Sequence, residues 1–373
     1  MKNKLAIIFG TRPEIIKLSP LIKLCQKTTV PFFCVHTGQH FSYEMDRIFF
    51  KELGLPGPKY KLNIKSLAPF RQGDHTGRML IGLEKILLKE MPYAIVVQGD
   101  TNTVLAAALT AEKISTTESY TGFQIKVAHV EAGLRSFDRS MPEETNRFIV
   151  DHLADFLFVP TQKAKGQLLK EGVPRGWIQV TGNTIVDAVK NYLKSAEDKS
   201  RILKKLGIQK KKYILLTLHR QENVDSKEIF VNLLKGIVLT SQKTGLPVIF
   251  PIHPRTVKRL GNFGLELPRE ITSIRPTGFL DFLWLEANAK LIMTDSGGAQ
   301  EEACILKVPC VTLRDNTERP ETVVAGANMI AGRQPQGILR AALKMIKIKN
   351  NWQNPLGDGK ASSRILKTIL KRK

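Results

Sequence analysis

The sequence predicts an α/β fold: two Rossmann-like, doubly wound domains facing each other across a cleft. Three observations point there. Short apolar, β-rich runs alternate with longer helical patterns along the whole chain, which is the signature of parallel sheets built from βαβ units. The chain has 373 residues, and at roughly 150 residues per domain that length holds two or three domains. A Lys-rich polar stretch, 194–212, carries no strand pattern and divides the strands into six before it and four after it.

Taken in order, the first strands are Leu5–Phe9, Phe32–His36, Ala94–Val97, Ile125–Val130, Phe156–Val159 and Ile178–Val180, each an apolar run of buried-strand length. Helical spacing fills the intervals at Glu14–Lys27, Arg78–Glu90, Val104–Ile114 and Glu143–Ala154. Strands resume at Tyr213–Thr217, Val248–Pro251, Leu291–Thr294 and Pro309–Leu313, with helices at Lys227–Gln242, Ala299–Leu306 and Gln336–Ile348. Domains of 1–190 and 200–352 follow. A last helix, Ser362–Lys371, comes after the break Asn354-Pro355-Leu356-Gly357-Asp358-Gly359 and fits either domain.

Composition narrows the class. Hydrophobic residues make up 42% and charged residues 24%, values of a globular protein rather than a disordered, collagen-like or disulfide-stapled one. No apolar run approaches the ~18 residues of a membrane helix. The apolar part of the start is too short for a signal peptide, and Gly10-Thr11-Arg12-Pro13-Glu14 stands where a cleavage site belongs, so a cytoplasmic protein is expected. Cys25, Cys34, Cys304 and Cys310 form no CxxC pair and read as buried thiols; no His spacing supports zinc, so no metal site is expected. The formal charge of +23 is unusual, but segments 194–212 and 340–373 hold +15 of it. Aromatics do not interleave with these basic clusters and no nucleic-acid motif is present, so neither a nucleic-acid partner nor a membrane partner is expected.

In open α/β sheets, ligands bind beyond the carboxyl ends of the strands. Here strand after strand ends in reactive or phosphate-binding residues: Gly10-Thr11-Arg12-Pro13-Glu14, His36-Thr37-Gly38-Gln39-His40, Gln98-Gly99-Asp100-Thr101 and His129-Val130-Glu131-Ala132-Gly133. The second half adds His219-Arg220-Gln221-Glu222-Asn223, His253-Pro254-Arg255 and Asp295-Ser296-Gly297-Gly298. A Gly pair at a strand-to-helix turn exposes amides at the positive end of a helix, so Ser296-Gly297-Gly298 suits a phosphate, with Arg314 and Arg319 placed to reach the same anion. The plain alternative there is a tight turn with a helix cap. No GxGxxG follows the first strand and no Walker loop occurs, which disfavours NAD and ATP. Asp100, Glu131 and Glu143 are acids able to converge in one cleft, as proton transfer at an unactivated carbon requires. Glu143 lies four residues before Arg147, on one helix face, and on that spacing alone an ordinary pair on a solvated helix is the leading reading. Among the histidines His219 is the candidate for direct contact; His36 and His129 sit at strand ends and fit a core or supporting place.

Together these segments resemble the non-hydrolysing UDP-N-acetylglucosamine 2-epimerase family. The matching runs are Gly10-Thr11-Arg12-Pro13-Glu14 with Lys17, Thr37-Gly38-Gln39-His40, Gln98-Gly99-Asp100-Thr101, His129-Val130-Glu131-Ala132-Gly133-Leu134-Arg135 and Pro142-Glu143-Glu144-x-Asn146-Arg147. They continue through Val180-Thr181-Gly182-Asn183-Thr184, His219-Arg220-x-Glu222-Asn223, Thr294-Asp295-Ser296-Gly297-Gly298-x-Gln300-Glu301-Glu302 and Arg314-Asp315-x-Thr317-Glu318-Arg319-Pro320-Glu321, in family order. The resemblance implies a GT-B type fold with the substrate between the domains, and a C-terminal helix (358–373) packing back on the first domain. It implies interconversion of UDP-GlcNAc and UDP-ManNAc, through elimination of UDP to a 2-acetamidoglucal and re-addition. Turnover needs no nicotinamide or metal cofactor, and a homodimer is expected. It makes Asp100, Glu131 and Glu143 acid/base candidates and His219 a diphosphate or proton-transfer partner. Arg12, Lys17, Arg147, Ser296, Gly297, Gly298 and Arg319 join the substrate-binding set; Glu302 takes the ribose hydroxyls and Phe282 flanks the uracil. Where some members carry Gln near the uracil, this chain has Thr277. Some members bind a second UDP-GlcNAc as an activator; Gln39 and His40 lie in that matching region, and Phe41-Ser42-Tyr43 departs from the pattern.

Overall fold

A computed structural model describes residues 4–39, 43–62, 64, 72–117, 123–139 and 141–371. Contacts divide the chain into two compact units, Met1–Ala188 with Gly357–Lys373, and Val189–Leu356. Each is a parallel sheet with helices on its faces.

In the first unit the strands are β1 (Leu5–Phe9), β2 (Phe32–His36), β3 (Tyr60–Lys61), β4 (Ala94–Gln98), β5 (Lys126–Val130), β6 (Phe156–Val159) and β7 (Ile178–Val180). Their order is β3-β2-β1-β4-β5-β6-β7, and every pairing is parallel. The reversal of direction between β1 and β4 is the topological switch point, where a crevice opens at the strand ends. The second unit repeats the scheme. Its strands β8 (Ile214–Thr217), β9 (Val248–Pro251), β10 (Ile271–Ile274), β11 (Leu291–Thr294), β12 (Cys310–Thr312) and β13 (Asn328–Ile330) run in the order β10-β9-β8-β11-β12-β13, with the switch between β8 and β11.

The central strands form because their sequences are apolar without interruption. β1 and β8 read LAIIF and ILLT, and all of their residues are buried, as a sheet covered on both faces demands. Three strands escape the search for apolar runs: β3, β10 and β13, all at sheet edges. An edge strand is partly solvated and tolerates polar residues. Thr272 and Ser273 of β10, Lys61 of β3 and Ile330 of β13 are exposed.

The helix Ala361–Lys371 packs on the helix Arg12–Lys27 of the first unit. Asp187 anchors its start by accepting from the amides of Ala361 at 3.2 Å and Ser362 at 2.9 Å, two groups with no partner inside the helix. The Lys-rich stretch is ordered. It contains the end of the helix Thr184–Lys199 and a short helix, Ile202–Lys205, whose Ile202 enters the core of the second unit while Lys204, Lys205, Lys210 and Lys212 face solvent. All four cysteines are free and buried; burial pushes the Cys25 and Cys34 thiols up to about 12, so they stay protonated. Among the described residues no helix is long and apolar enough to cross a membrane.

Candidate active site

The first unit builds an acid-bearing site at its switch point. β1 runs into Thr11, which caps the helix Arg12–Lys27 in a reciprocal box with Glu14. Glu14, 1% exposed, accepts the amides of Gly10 at 2.8 Å and Thr11 at 2.7 Å and the Thr101 hydroxyl at 2.6 Å. It therefore ties the end of β1 to the end of β4. Burial pushes its carboxyl up, against the pull of those hydrogen bonds. Gly10 is required: a Cβ there would stand 2.1 Å from the Thr37 hydroxyl and 2.3 Å from that of Thr103. Gln39 accepts from Thr103 through both the amide and the hydroxyl, at 2.8 Å each. His40 lies outside the described residues.

Asp100 follows β4 after Gly99, whose φ of +82° is a conformation glycine alone adopts freely. Its carboxylate is 30% exposed and accepts from Arg147 Nε at 2.9 Å, while Asn146 donates to its backbone carbonyl at 2.8 Å. Glu131 follows β5 at φ 71°, a left-handed conformation costly for a residue with a side chain and concentrated at functional sites. Lys17 reaches both of its oxygens, at 2.9 and 2.7 Å, and Gln98 of β4 also donates to it; Lys17 and Glu131 are each 7% exposed. Two acids thus stand at the ends of adjacent strands, each on its own cation. Arg12 lies over the Phe49 ring at 4.8 Å.

Glu143 sits in the first turn of the helix Pro142–Leu153 and is exposed. Despite the four-residue spacing, Arg147 pairs with Asp100 and, at 3.5 Å, with Glu144. Glu144 turns inward and accepts the Ser136 amide at 2.6 Å. The helix brings Asn146 and Arg147 to Asp100 and holds Glu143 at its exposed end.

The second unit brings a Gly-Gly helix start and an arginine together at its own switch point. Asp295, fully buried after β11, accepts the amides of His219 and Arg220, both at 2.9 Å, and Asn223 at 3.3 Å. One carboxylate thereby folds the loop after β8 against the end of β11. His219 is left 37% exposed, its ring 5.4 Å from that of His253. Ser296 is the N-cap of the helix Gly297–Ile305, and its hydroxyl caps no amide of that helix. A Cβ on Gly297 would come within 3.9 Å of Arg319 Cζ, so the guanidinium lies against the helix start. Arg319 is fixed there by Glu301 at 2.5 Å, itself wholly buried. Arg314 does not join it: it is 4% exposed and bound to Glu318 at 2.9 and 3.0 Å.

Glu302, 9% exposed, projects from the same helix. Next to it is Glu286, fully buried, whose carboxyl is held well above the usual range by burial and by the Glu302 charge. Phe282 is half-buried on the helix Phe279–Asn288, and the buried Thr277 hydroxyl just before that helix makes no hydrogen bond to the described residues. Among the described residues no group of three or more His, Cys, Asp or Glu side chains is arranged to hold a metal. Gln98, Asn223, Asp295 and Glu301 stand in the strand-end and matching runs read from the sequence, but the hydrogen bonds they make were not assigned there; Glu14 carries the Thr-x-x-Glu spacing of a capping box.

Two doubly wound parallel sheets, one ending in acids and the other in a Gly-Gly helix start beside an arginine at its switch point, define a chain of the two-domain Rossmann-like class. The family model for UDP-N-acetylglucosamine 2-epimerase matches residues 23–370. The chain belongs to that family. It is 53% identical over 372 residues, 98% of either chain, to the UDP-N-acetylglucosamine 2-epimerase of Methanocaldococcus jannaschii. The crystal structure of the Methanocaldococcus jannaschii enzyme in complex with UDP-GlcNAc and UDP superposes with a TM-score of 0.90 at 53% identity, covering 99% of both chains. The UDP-2,3-diacetamido-2,3-dideoxy-D-glucuronate 2-epimerase of Pseudomonas aeruginosa is 38% identical over 373 residues, 99% of each chain.

Proposed function

We propose that this chain interconverts UDP-GlcNAc and UDP-ManNAc by eliminating UDP and adding it back with inversion at C2. What supports the reading is that one unit carries acids at its switch point and the other a Gly-Gly helix start beside an arginine, in a chain 53% identical end to end to an enzyme of that name. The more distant relative acting on the diacetamido-glucuronate sugar, at 38%, makes that substrate the weaker choice.

The chemistry follows from the substrate. The C2 proton is adjacent to no carbonyl and is not acidic. Its removal must accompany departure of a good leaving group, here the diphosphate on C1. A carboxylate takes the C2 proton, the C–H electron pair becomes the C1–C2 double bond, and the C1–O bond breaks toward UDP. Arg319 and the amides of Gly297 and Gly298 meet the charge that develops on the diphosphate. His219 lies beside them as a diphosphate or proton-transfer group, and Arg12 supplies a further cation. For return, an acid protonates C2 from the opposite face as a UDP oxygen attacks C1. Inversion therefore needs at least two proton-transfer groups, and Asp100, Glu131 and Glu143 are the candidates. Lys17 and Arg147 orient the first two. Glu302 takes the ribose hydroxyls, and Phe282 with Thr277 meets the uracil. The proposal includes a homodimer working in the cytoplasm.

If the C1–O bond breaks, substrate labelled with 18O at the bridging position should scramble the label into the non-bridging β-phosphate oxygens as fast as or faster than it epimerises. Epimerisation with the label retained in the bridge would rule out elimination.

A further inference from the structure

His129 is 1% exposed and both of its ring nitrogens are engaged: Nδ1 lies 2.7 Å from Asp151 Oδ1, and Nε2 lies 2.8 Å from the Gly99 carbonyl oxygen. The second contact fixes one proton, because a carbonyl oxygen only accepts. Asp151, from the helix Pro142–Leu153, is 1% exposed, and its second oxygen accepts from Arg135 at 2.7 Å and from the Gly133 amide at 3.1 Å. The His129 ring thus gives its Nε2 proton to the Gly99 carbonyl and sets Nδ1 against the Asp151 carboxyl. The charged groups around it are Asp151, then Arg135, then Glu171, which takes Arg135 at 3.0 and 2.7 Å.

The Gly99 carbonyl and the Asp100 amide belong to one planar peptide. Fixing that carbonyl fixes the plane from which Asp100 departs, after a glycine at φ +82° that has no side chain to hold it. The same Asp151 grips the Gly133 amide, two residues past the left-handed Glu131. One buried carboxyl–imidazole pair therefore braces both acid-bearing turns.

We propose that His129 is a positioning residue of the reaction: held by Asp151 at Nδ1, it donates through Nε2 to the Gly99 carbonyl and so sets the peptide that presents Asp100. The proposal rests on the reading of Asp100 as an acid/base group. It concerns a side chain that has no place for direct substrate contact, being enclosed by these partners.

The test uses the full chain with three readouts. In 15N-histidine-labelled protein at neutral pH, the His129 ring should carry a proton on Nε2, the nitrogen facing the Gly99 carbonyl. His129→Leu should lower kcat for UDP-GlcNAc epimerisation by about a hundredfold, the usual scale for a reacting group displaced by about an ångström, with KM nearly unchanged. His129→Gln, which keeps one donor in reach of the Gly99 carbonyl, should recover part of that loss; it also provides the measurement should the Leu variant fail to fold. Wild-type epimerisation with an unchanged kcat in either folded variant, or an Nε2 without a proton, overturns the positioning role and leaves the function standing. Wild-type protein without epimerase activity overturns the functional reading and this role with it.

Discussion

Asp100→Asn is expected to slow C2 proton exchange of UDP-GlcNAc by about 10²–10⁴-fold, the usual worth of a positioned acid or base. The substitution is nearly isosteric and removes the ability to hold a proton in transit. The loop should survive it. Asn146 holds the Asp100 backbone carbonyl, and the His129 contact holds the Gly99 carbonyl, both independently of the carboxylate. The side chain is 30% exposed, so losing the charge behind its two bonds from Arg147 should cost on the order of 1–2 kcal/mol. Proton NMR of UDP-GlcNAc in D2O reads the exchange, and circular dichroism with thermal melting reads the fold. A folded variant exchanging at the wild-type rate would remove Asp100 from the proton-transfer step.

The second large effect is on stability. Lys17→Met removes a buried cation from a carboxylate that is itself only 7% exposed. Breaking such a pair from one side costs about 3–5 kcal/mol, because the remaining charge stays buried without its counter-ion. For a unit of roughly 200 residues, that is a fall in melting temperature of roughly 6–20 °C. The companion Lys17→Met/Glu131→Gln should regain much of it, since the neutral amide needs no cation. Equal melting temperatures for wild type and Lys17→Met would show that the pair does not brace the end of β5. Activity should fall together with stability, because Glu131 loses the contact that aims it.

The central strands and the residues at their ends were legible because burial on both faces demands unbroken apolar runs, and because strand-end turns concentrate Gly, Asp, Glu and His. The edge strands were not, since Tyr60–Lys61, Ile271–Ile274 and Asn328–Ile330 need pair on one side only and carry polar or exposed residues. At the site, spacing brought out Asp100, Glu131, His219 and Ser296-Gly297-Gly298. It misread the partner of Arg147, because a helix face holds both the i−4 and i−3 neighbours and tertiary packing chose Asp100 and Glu144 over Glu143. It grouped Arg314 with Arg319, whereas Glu318 engages the first and Glu301 aims the second at the helix start. Asp151 was invisible, and the partners of Asp295 and Glu301 were not legible although both stood in strand-end or matching runs, for a common reason. Each acts through backbone amides or side chains brought close only by the fold, and no local pattern marks such contacts.

The central claim is that a proton leaves C2 and returns from the other face while UDP departs and rejoins. It is tested most directly by incubating wild-type chain with UDP-GlcNAc in D2O and following C2 by proton NMR. The account predicts loss of the C2–H signal, with deuterium at C2 in both UDP-GlcNAc and the UDP-ManNAc that forms. Epimerisation with the C2 proton retained, or no exchange by folded protein, would contradict it.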